Sequence, residues 1–233
     1  MNRMVHSRPS LDEIEPNLFL GNLSSSTRYL TLQEHQISTL VSINTGCFEI
    51  WDLPYNRALI PKERHLFIPA FDSSTQDLLQ HMTEACDFIE RMCSLKIERP
   101  AKTKESKAIP ETQTSPNVIL VHCDVGISRS ATIMIAYLMR KYRLPLKDAM
   151  ARVKAKRRKI RPNDGFREQL EIWERTGYQV YEDGRAKIPK LEYKKFLKRR
   201  TKRLKEKGLK GNEPIVPESA RTEAMLANMQ LDE

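Results

Sequence analysis

Cysteine is scarce in this sequence, and its four cysteines form neither a metal-binding nor a disulfide pattern. There is no Cys-x-x-Cys pair and the five histidines are not clustered, so neither a structural zinc site nor a disulfide framework is indicated. Cys47, Cys86, Cys93 and Cys123 are therefore expected to be reduced thiols, as in intracellular proteins. We expect no metal and no other cofactor.

Long apolar runs are also missing. The longest one, at residues 131–139, is far shorter than the ~20 residues that a membrane-spanning helix needs. The first residues lack the apolar core of a secretory signal peptide. We therefore expect a protein without membrane association that is located in the cytoplasm, the nucleus or both.

Acidic residues do not balance the basic ones, and the imbalance is local. The net charge is +10, whereas residues 185–211 alone hold thirteen Lys or Arg against two Glu. Basic charge at this density fits a nuclear import signal, a nucleic-acid surface or an acidic protein partner. A solvated helix face without any partner is the plain alternative. The residues that follow, 212–233, are acidic on balance.

A strand, a loop and a helix are predicted around Gly126. Residues 118–121 are apolar and mostly β-branched, which is typical of a buried strand, and helix-forming residues begin at Ser128. Gly126 allows backbone torsions that turn successive N–H groups inward, so the loop can form an anion-binding nest. The helix N-terminus adds its positive end. An anion bound there would face Cys123 and Arg129.

The residue types around this loop fit nucleophilic attack on phosphorus. A helix N-terminus and a nearby guanidinium favour the thiolate form of Cys123, and Arg129 can donate two parallel hydrogen bonds to phosphoryl oxygens. His122 is expected to orient the loop, and the Ser130 hydroxyl to help the sulfur leave. The residues expected to bind the phosphate are Asp124, Val125, Gly126, Ile127, Ser128 and Arg129.

The run from His122 to Ser130 resembles the His-Cys-x5-Arg-Ser motif of the protein tyrosine and dual-specificity phosphatase superfamily. Residues 18–21, Leu-Phe-Leu-Gly, are similar to the strand that opens dual-specificity domains, and residues 161–166 are similar to their Arg-Pro-Asn-x-Gly-Phe run. The resemblance covers about residues 14–178. It is closest to a fungal and animal subgroup that usually carries a C-terminal zinc module, which is absent from this sequence.

The resemblance implies an α/β fold with a central, mostly parallel twisted sheet and helices on both faces. Residues 13–180 would form the catalytic domain, preceded by a flexible leader at 1–12. A flexible insertion is expected at 97–116, where the chain is strongly polar and contains three prolines. Residues 185–211 would form a basic helical extension and 212–233 a mobile acidic tail. We expect a monomer.

The leaving group needs a general acid, because an unprotonated alkoxide is a very poor leaving group. In this superfamily the acid is an Asp in a loop after a strand, and Asp72 follows a predicted strand at 65–69. Asp72 could instead be only a helix N-cap. Asp77 is the second candidate for the acid, at a position expected inside the next helix. Asn163 is expected to support the phosphate loop.

The implied function is a protein phosphatase that hydrolyses phosphotyrosine and phosphoserine or phosphothreonine in phosphoproteins through a phosphocysteine intermediate. The alternatives are a phosphopeptide-binding or ribosome-assembly scaffold on the same fold, an RNA 5′-triphosphatase, and redox control in which Cys47 or Cys86 pairs with Cys123. Asp124, Val125 and Ile127 add no positive charge, whereas lipid phosphatases of the superfamily tend to carry Lys there. Phosphoinositides are therefore disfavoured as substrates.

Overall fold

A five-stranded sheet forms the centre of the computed structural model, which describes residues 8–46, 49–100, 112–182 and 188–210. The strands, in chain order, are β1 (Leu11–Glu15), β2 (Leu18–Asn22), β3 (Thr39–Asn44), β4 (His65–Pro69), β5 (Lys96–Pro100), β6 (Thr112–Pro116) and β7 (Ile119–Cys123). In the sheet, β7 lies between β2 and β3 and is parallel to both. The parallel strand β4 lies at one edge and the antiparallel strand β1 at the other.

Helices cover both faces of this sheet. They are α1 (Leu23–Thr27), α2 (Tyr29–Glu34), α3 (Pro54–Leu59), α4 (Leu79–Cys93), α5 (Arg129–Tyr142), α6 (Leu146–Lys156), α7 (Asp164–Arg175) and α8 (Leu191–Glu206). One buried cluster joins the sheet to α4, α5 and α7, and a second joins its other face to α1 and α2. The predicted α/β fold with a mostly parallel sheet is confirmed.

The apolar run that precedes the loop divides its side chains between these two clusters. Ile119 and Val121 belong to the larger cluster, whereas Val118 and Leu120 belong to the smaller one. Successive side chains of a strand point to opposite faces, so a strand that is buried on both faces has to be apolar at every position. This requirement explains the continuous apolar run.

The connection from β7 to α5 lies at the carboxyl ends of the parallel strands, where α/β sheets commonly bind ligands. Cys123 is the last residue of β7 and Arg129 is the first residue of α5. All positions from Arg129 to Met139 are buried, so α5 is a central helix rather than a surface one. The loop is thus fixed at both ends by the core.

Two predicted segments contain strands that the sequence did not indicate. The leader was expected to extend to residue 12, but β1 begins at Leu11 and pairs with β2. The insertion at 97–116 was expected to be flexible, but β5 and β6 pair as an antiparallel ladder that runs from Lys96 opposite Pro116 to Pro100 opposite Thr112. Paired backbone groups satisfy each other in this ladder, so a polar sequence still forms strands. Residues 101–111 of the insertion lie outside the described residues.

The basic extension contains helix α8, while residues 183–187 and the acidic tail at 212–233 lie outside the described residues. Within the described ranges no helix has the length and apolar character needed to cross a membrane. The same ranges contain no group of three or more His, Cys, Asp or Glu that could hold a metal ion.

Candidate active site

The thiol of Cys123 is buried and accepts two hydrogen bonds. The backbone N–H of Gly126 lies 3.3 Å from its Sγ atom, and the Ser130 hydroxyl lies 3.2 Å from it. Both donors lower the energy of negative charge on sulfur, whether it is the attacking or the leaving atom. The geometry therefore matches the supporting role that the sequence predicts for Ser130.

Gly126 has a backbone conformation that requires glycine. Its φ angle is +74°, and a Cβ atom at this position would lie 2.4 Å from the carbonyl oxygen of Gly21. Any side chain would therefore combine backbone strain with a clash against strand β2. The conformation turns the Gly126 N–H towards the sulfur, as the predicted anion-binding nest needs.

The guanidinium of Arg129 is buried beside the loop. It forms an ion pair with Asp124, and its Nη1 donates to the carbonyl of Ala70 at 3.1 Å. Among the described residues, its Nε–H has no hydrogen-bond partner. A buried donor without a protein partner is a group that a bound anion can satisfy. Arg129 is thus oriented by protein atoms and retains a donor for a ligand.

Asp72 lines the same pocket as Cys123, and two donors hold its carboxylate. The Ser128 hydroxyl donates to its Oδ1 at 2.7 Å, and the Asn163 side-chain amide donates to the same oxygen at 2.8 Å. Asn163 also caps helix α7, because its Oδ1 accepts from the backbone N–H of Phe166. One amide therefore connects the start of α7 to the carboxylate.

A pocket of about 420 Å³ brings most of the predicted site residues together. The predicted residues that line it are Asp72, Cys123, Val125, Ile127, Ser128, Arg129 and Asn163. His122, Asp124, Gly126 and Ser130 do not line it; His122 and Ser130 lie buried behind it. Arg161 adds an exposed cation to the rim. A larger cavity, about 620 Å³ between β4 and α4, contains none of the predicted residues.

Sequence comparison identifies the family. Residues 103–176 match the profile of the dual specificity phosphatase catalytic domain. A protein of Invertebrate iridescent virus 6, named "Putative tyrosine phosphatase 123R", is 34% identical over 163 residues, which are 70% of this chain and 91% of the viral protein. The chain belongs to the dual-specificity phosphatase family.

Other dual-specificity phosphatases extend the comparison. The Drosophila melanogaster dual specificity protein phosphatase MPK-4 is 30% identical over 180 residues, which are 73% of this chain but only 38% of that protein. This chain therefore spans about two fifths of that relative's length. Among solved structures, the Yvh1 phosphatase domain of Chaetomium thermophilum matches with a TM-score of 0.57 and 28% identity, over 72% of this chain and 97% of that one.

One residue of this family member's phosphate loop is supported by a contact that the sequence did not reveal. Arg157 lies in a run of mostly basic residues at 154–161, but it is buried and its Nε donates to the carbonyl of Gly126 at 2.8 Å. Its Nη1 pairs with Asp12 of β1 at 2.5 Å. Arg157 thus supports the outer side of the loop. Arg157 is buried, whereas the basic residues near it in the sequence are exposed, and burial cannot be read from the sequence.

Behind the loop lies a series of hydrogen bonds that ends on His122. Arg57 Nη1 lies 3.3 Å from His65 Nδ1, His65 Nε2 lies 2.8 Å from Ser42 Oγ, and Ser42 Oγ lies 2.6 Å from His122 Nε2. A guanidinium can only donate, so His65 accepts at Nδ1 and donates from Nε2. The Ser42 hydroxyl then donates to His122. These hydrogen bonds fix the tautomer of His122 and orient its ring. The predicted role of His122, to orient the loop, stays a prediction.

The imidazole rings of His65 and His122 are both held neutral. Burial, together with the Arg57 charge, lowers the pKa of His65 to about 4, and burial, together with His65, lowers the pKa of His122 to about 3. An exposed His has a pKa near 6.5. As the pH falls below this value, the two histidines bind protons in the unfolded state but remain neutral in the folded state. Folding stability should therefore be fully present above pH 6.5 and decline as the pH falls towards 4.

We expect each of these two histidines to lower the free energy of unfolding by at most about 1.4 kcal/mol per pH unit below pH 6.5. Urea unfolding at pH 7, 6 and 5 measures this slope. His65→Gln should reduce this slope by up to about 1.4 kcal/mol per pH unit, because it removes one of the two buried histidines. A free energy of unfolding that stays constant from pH 7 to 5 contradicts the prediction.

The redox alternative receives no support from Cys86. This thiol is fully buried in α4, and burial raises its pKa to about 12, which disfavours the reactive thiolate. Cys47, the other predicted partner, lies outside the described residues.

Proposed function

We propose that this chain is a cysteine-dependent protein phosphatase that hydrolyses phosphotyrosine and phosphoserine or phosphothreonine. The observation that carries the proposal is the placement of the Cys123 thiol and the Asp72 carboxylate on one pocket that Arg129 also lines. A nucleophile, an acid and an oxyanion-stabilising cation are the three groups that this reaction requires. The names of the relatives point to the same activity.

In the first step, the thiolate of Cys123 attacks phosphorus while the bond from phosphorus to the substrate oxygen breaks. Asp72 gives its proton to that oxygen. Both hydrogen bonds that hold Asp72 end on Oδ1, which leaves Oδ2 as the oxygen that delivers the proton. The loop N–H groups and Arg129 stabilise the charge on the equatorial oxygens.

In the second step, water attacks the phosphocysteine while Asp72 takes a proton from it. The sulfur–phosphorus bond breaks and phosphate leaves. The Ser130 hydroxyl, 3.2 Å from the sulfur, stabilises the departing thiolate. No step needs a metal ion.

A substrate panel assayed with a chelator present tests this proposal. The panel contains a phosphotyrosine peptide, a phosphothreonine peptide, a phosphoinositide and a 5′-triphosphorylated RNA. We expect hydrolysis of both peptides and little turnover of the other two, because the exposed loop residue Val125 offers no charge for additional phosphates. Turnover of RNA alone, or activity that chelation abolishes, contradicts the proposal.

We also propose that the outer face of helix α8 binds a nucleic acid or another polyanion, which would agree with a nuclear or cytoplasmic location. Lys194, Lys198 and Lys205 are exposed, have no ion pair within the described ranges and lie on one face over roughly 16 Å. Binding of single-stranded RNA should weaken with salt and fall when these three lysines become Gln. Equal affinity of that variant contradicts this role.

A further inference from the structure

The loop that carries Asp72 is largely buried although it has no regular secondary structure, and Asp72 itself is exposed. This segment, residues 70–78, connects β4 to α4 and is called the acid loop below. Its second half is almost entirely inaccessible, including the polar side chains of Thr75, Gln76 and Asp77. Buried backbone and side-chain polar groups need partners, so other elements have to supply them.

Helix α7 supplies one set of partners. Gln169 accepts hydrogen bonds from the backbone N–H groups of Leu78 and Leu79 at 2.8 and 2.7 Å, and it donates to the carbonyl of Gln76 at 2.8 Å. Gly165 lies so close that a Cβ atom would be 2.3 Å from the carbonyl oxygen of Ser74. The acid loop is therefore pressed against the start of α7.

Helix α8 supplies the other set. The Tyr193 hydroxyl donates to Asp77 Oδ2 at 2.9 Å, and Arg200 Nε donates to the carbonyl of Thr75 at 2.6 Å. Burial raises the pKa of Asp77, while the Tyr193 hydrogen bond and the Arg200 charge act in the opposite direction. The second carboxylate oxygen accepts from the N–H of Gln80 at 3.2 Å, near the start of α4.

The inner face of α8 is packed firmly enough to hold these contacts. Tyr193 and Phe196 are 3% and 2% exposed and belong to the main core cluster. Glu168 of α7 accepts from Arg199 and Arg203 at 2.8 Å each. Helix α8 is thus docked on α7 and on the acid loop at the same time.

We propose that Tyr193 and Arg200 are positioning residues for catalysis, and that α8 holds the acid loop in the conformation that presents Asp72 to the pocket. This inference rests on the proposed phosphatase function. It assigns a catalytic purpose to a helix outside residues 103–176, the part of the chain that matches the family profile. Neither residue touches the substrate, so each acts only through the placement of Asp72.

The proposal has a consequence that a purely structural role does not have. A displaced acid loop weakens protonation of the leaving oxygen, which matters for a poor alkoxide leaving group and hardly at all for nitrophenolate. The defect should therefore appear in kcat for phosphothreonine and not in kcat for p-nitrophenyl phosphate. The affinity for phosphate should remain, because α8 makes no contact with the Cys123 loop among the interactions described above.

The experiment compares the full chain with the double variant Tyr193→Phe/Arg200→Gln. We expect kcat for a phosphothreonine peptide to fall about tenfold, which is part of the ~10²–10⁴ that a general acid contributes. For p-nitrophenyl phosphate, kcat should change by less than about twofold, and KM should stay within about twofold for both substrates. The matched control, Lys202→Gln, removes an exposed cation of α8 that contacts neither α7 nor the acid loop in the interactions described above, and it should change neither value.

Equal losses for the two substrates, or no loss for either, overturn the inference. Melting temperatures show whether the double variant folds; if it does not, Tyr193→Phe alone should give a smaller defect with the same dependence on the leaving group. A wild-type chain that hydrolyses neither substrate overturns the proposed function itself. An active wild type with an unaffected variant overturns only the role of α8.

Discussion

Cys123→Ser should lower kcat by about four to six orders of magnitude while phosphopeptide binding is retained. A hydroxyl is not ionised at neutral pH, so the variant lacks a nucleophile that can attack phosphorus. The substitution is nearly isosteric, and the donors from Gly126 and Ser130 as well as the Arg129 guanidinium stay in place to hold an anion.

Two measurements check this prediction. Steady-state turnover of a phosphotyrosine peptide gives the loss of kcat, and calorimetric titration with the same peptide gives the retained affinity. Cys93→Ser changes an exposed thiol of α4 and should leave both unchanged. Substantial residual hydrolysis by Cys123→Ser contradicts the assignment of the nucleophile.

The same variant separates catalysis from scaffolding. If the chain acts in cells only by binding phosphopeptides, Cys123→Ser should fully rescue a strain from which the gene has been deleted. If hydrolysis is the function, the variant should fail to rescue although it binds its targets. The position of Cys123, Asp72 and Arg129 on one pocket favours the second result.

Asp72→Asn should lower kcat for a phosphothreonine peptide by about 10²- to 10³-fold. The amide oxygen can still accept from Ser128 and the side chain keeps its size, so the loop should hold its shape while the proton is lost. For p-nitrophenyl phosphate the loss should be much smaller, because nitrophenolate leaves without protonation.

Initial rates of wild type and variant on the two substrates check the acid role. Asp148→Asn, on the exposed face of α6, is the matched control and should behave as wild type. Equal losses on alkyl and aryl phosphates contradict the role of Asp72 as acid.

The second candidate for the acid, Asp77, is placed differently by the structure. Asp77 was expected inside the helix, but α4 begins at Leu79, so Asp77 lies just before it. Its carboxylate accepts a hydrogen bond from the Tyr193 hydroxyl. It is 3% exposed and does not line the pocket. Only Asp72 of the two lies where a leaving group can reach it.

The loop between β7 and α5 could be predicted because its structure depends on neighbours in sequence. The apolar run, Gly126 and the helix-forming residues after Ser128 each determine local conformation, and Cys123 and Arg129 lie at the two ends of that local unit. The position of Asp72 relative to a strand was predicted on the same basis. Such short-range determinants can be read without knowing the rest of the fold.

The supporting contacts could not be predicted because they join distant parts of the chain. Tyr193 and Asp77 are 116 residues apart, Arg157 and Asp12 are 145 apart, and neither pair leaves any periodic pattern in the sequence. The β5–β6 ladder was missed for a different reason. Its polar composition resembles that of a flexible segment, and backbone pairing rather than side-chain burial defines these strands.

The close approach of Gly126 to Gly21 limits how this protein can be redesigned. Gly21 is paired with His122 and Asn22 with Cys123, so the carbonyl that excludes a side chain at position 126 belongs to the ladder that positions the nucleophile. A side chain at position 126 would therefore clash with β2, the strand that pairs with β7. New specificity is more readily engineered at exposed rim positions such as Val125 and Arg161, whose side chains can change without moving β2.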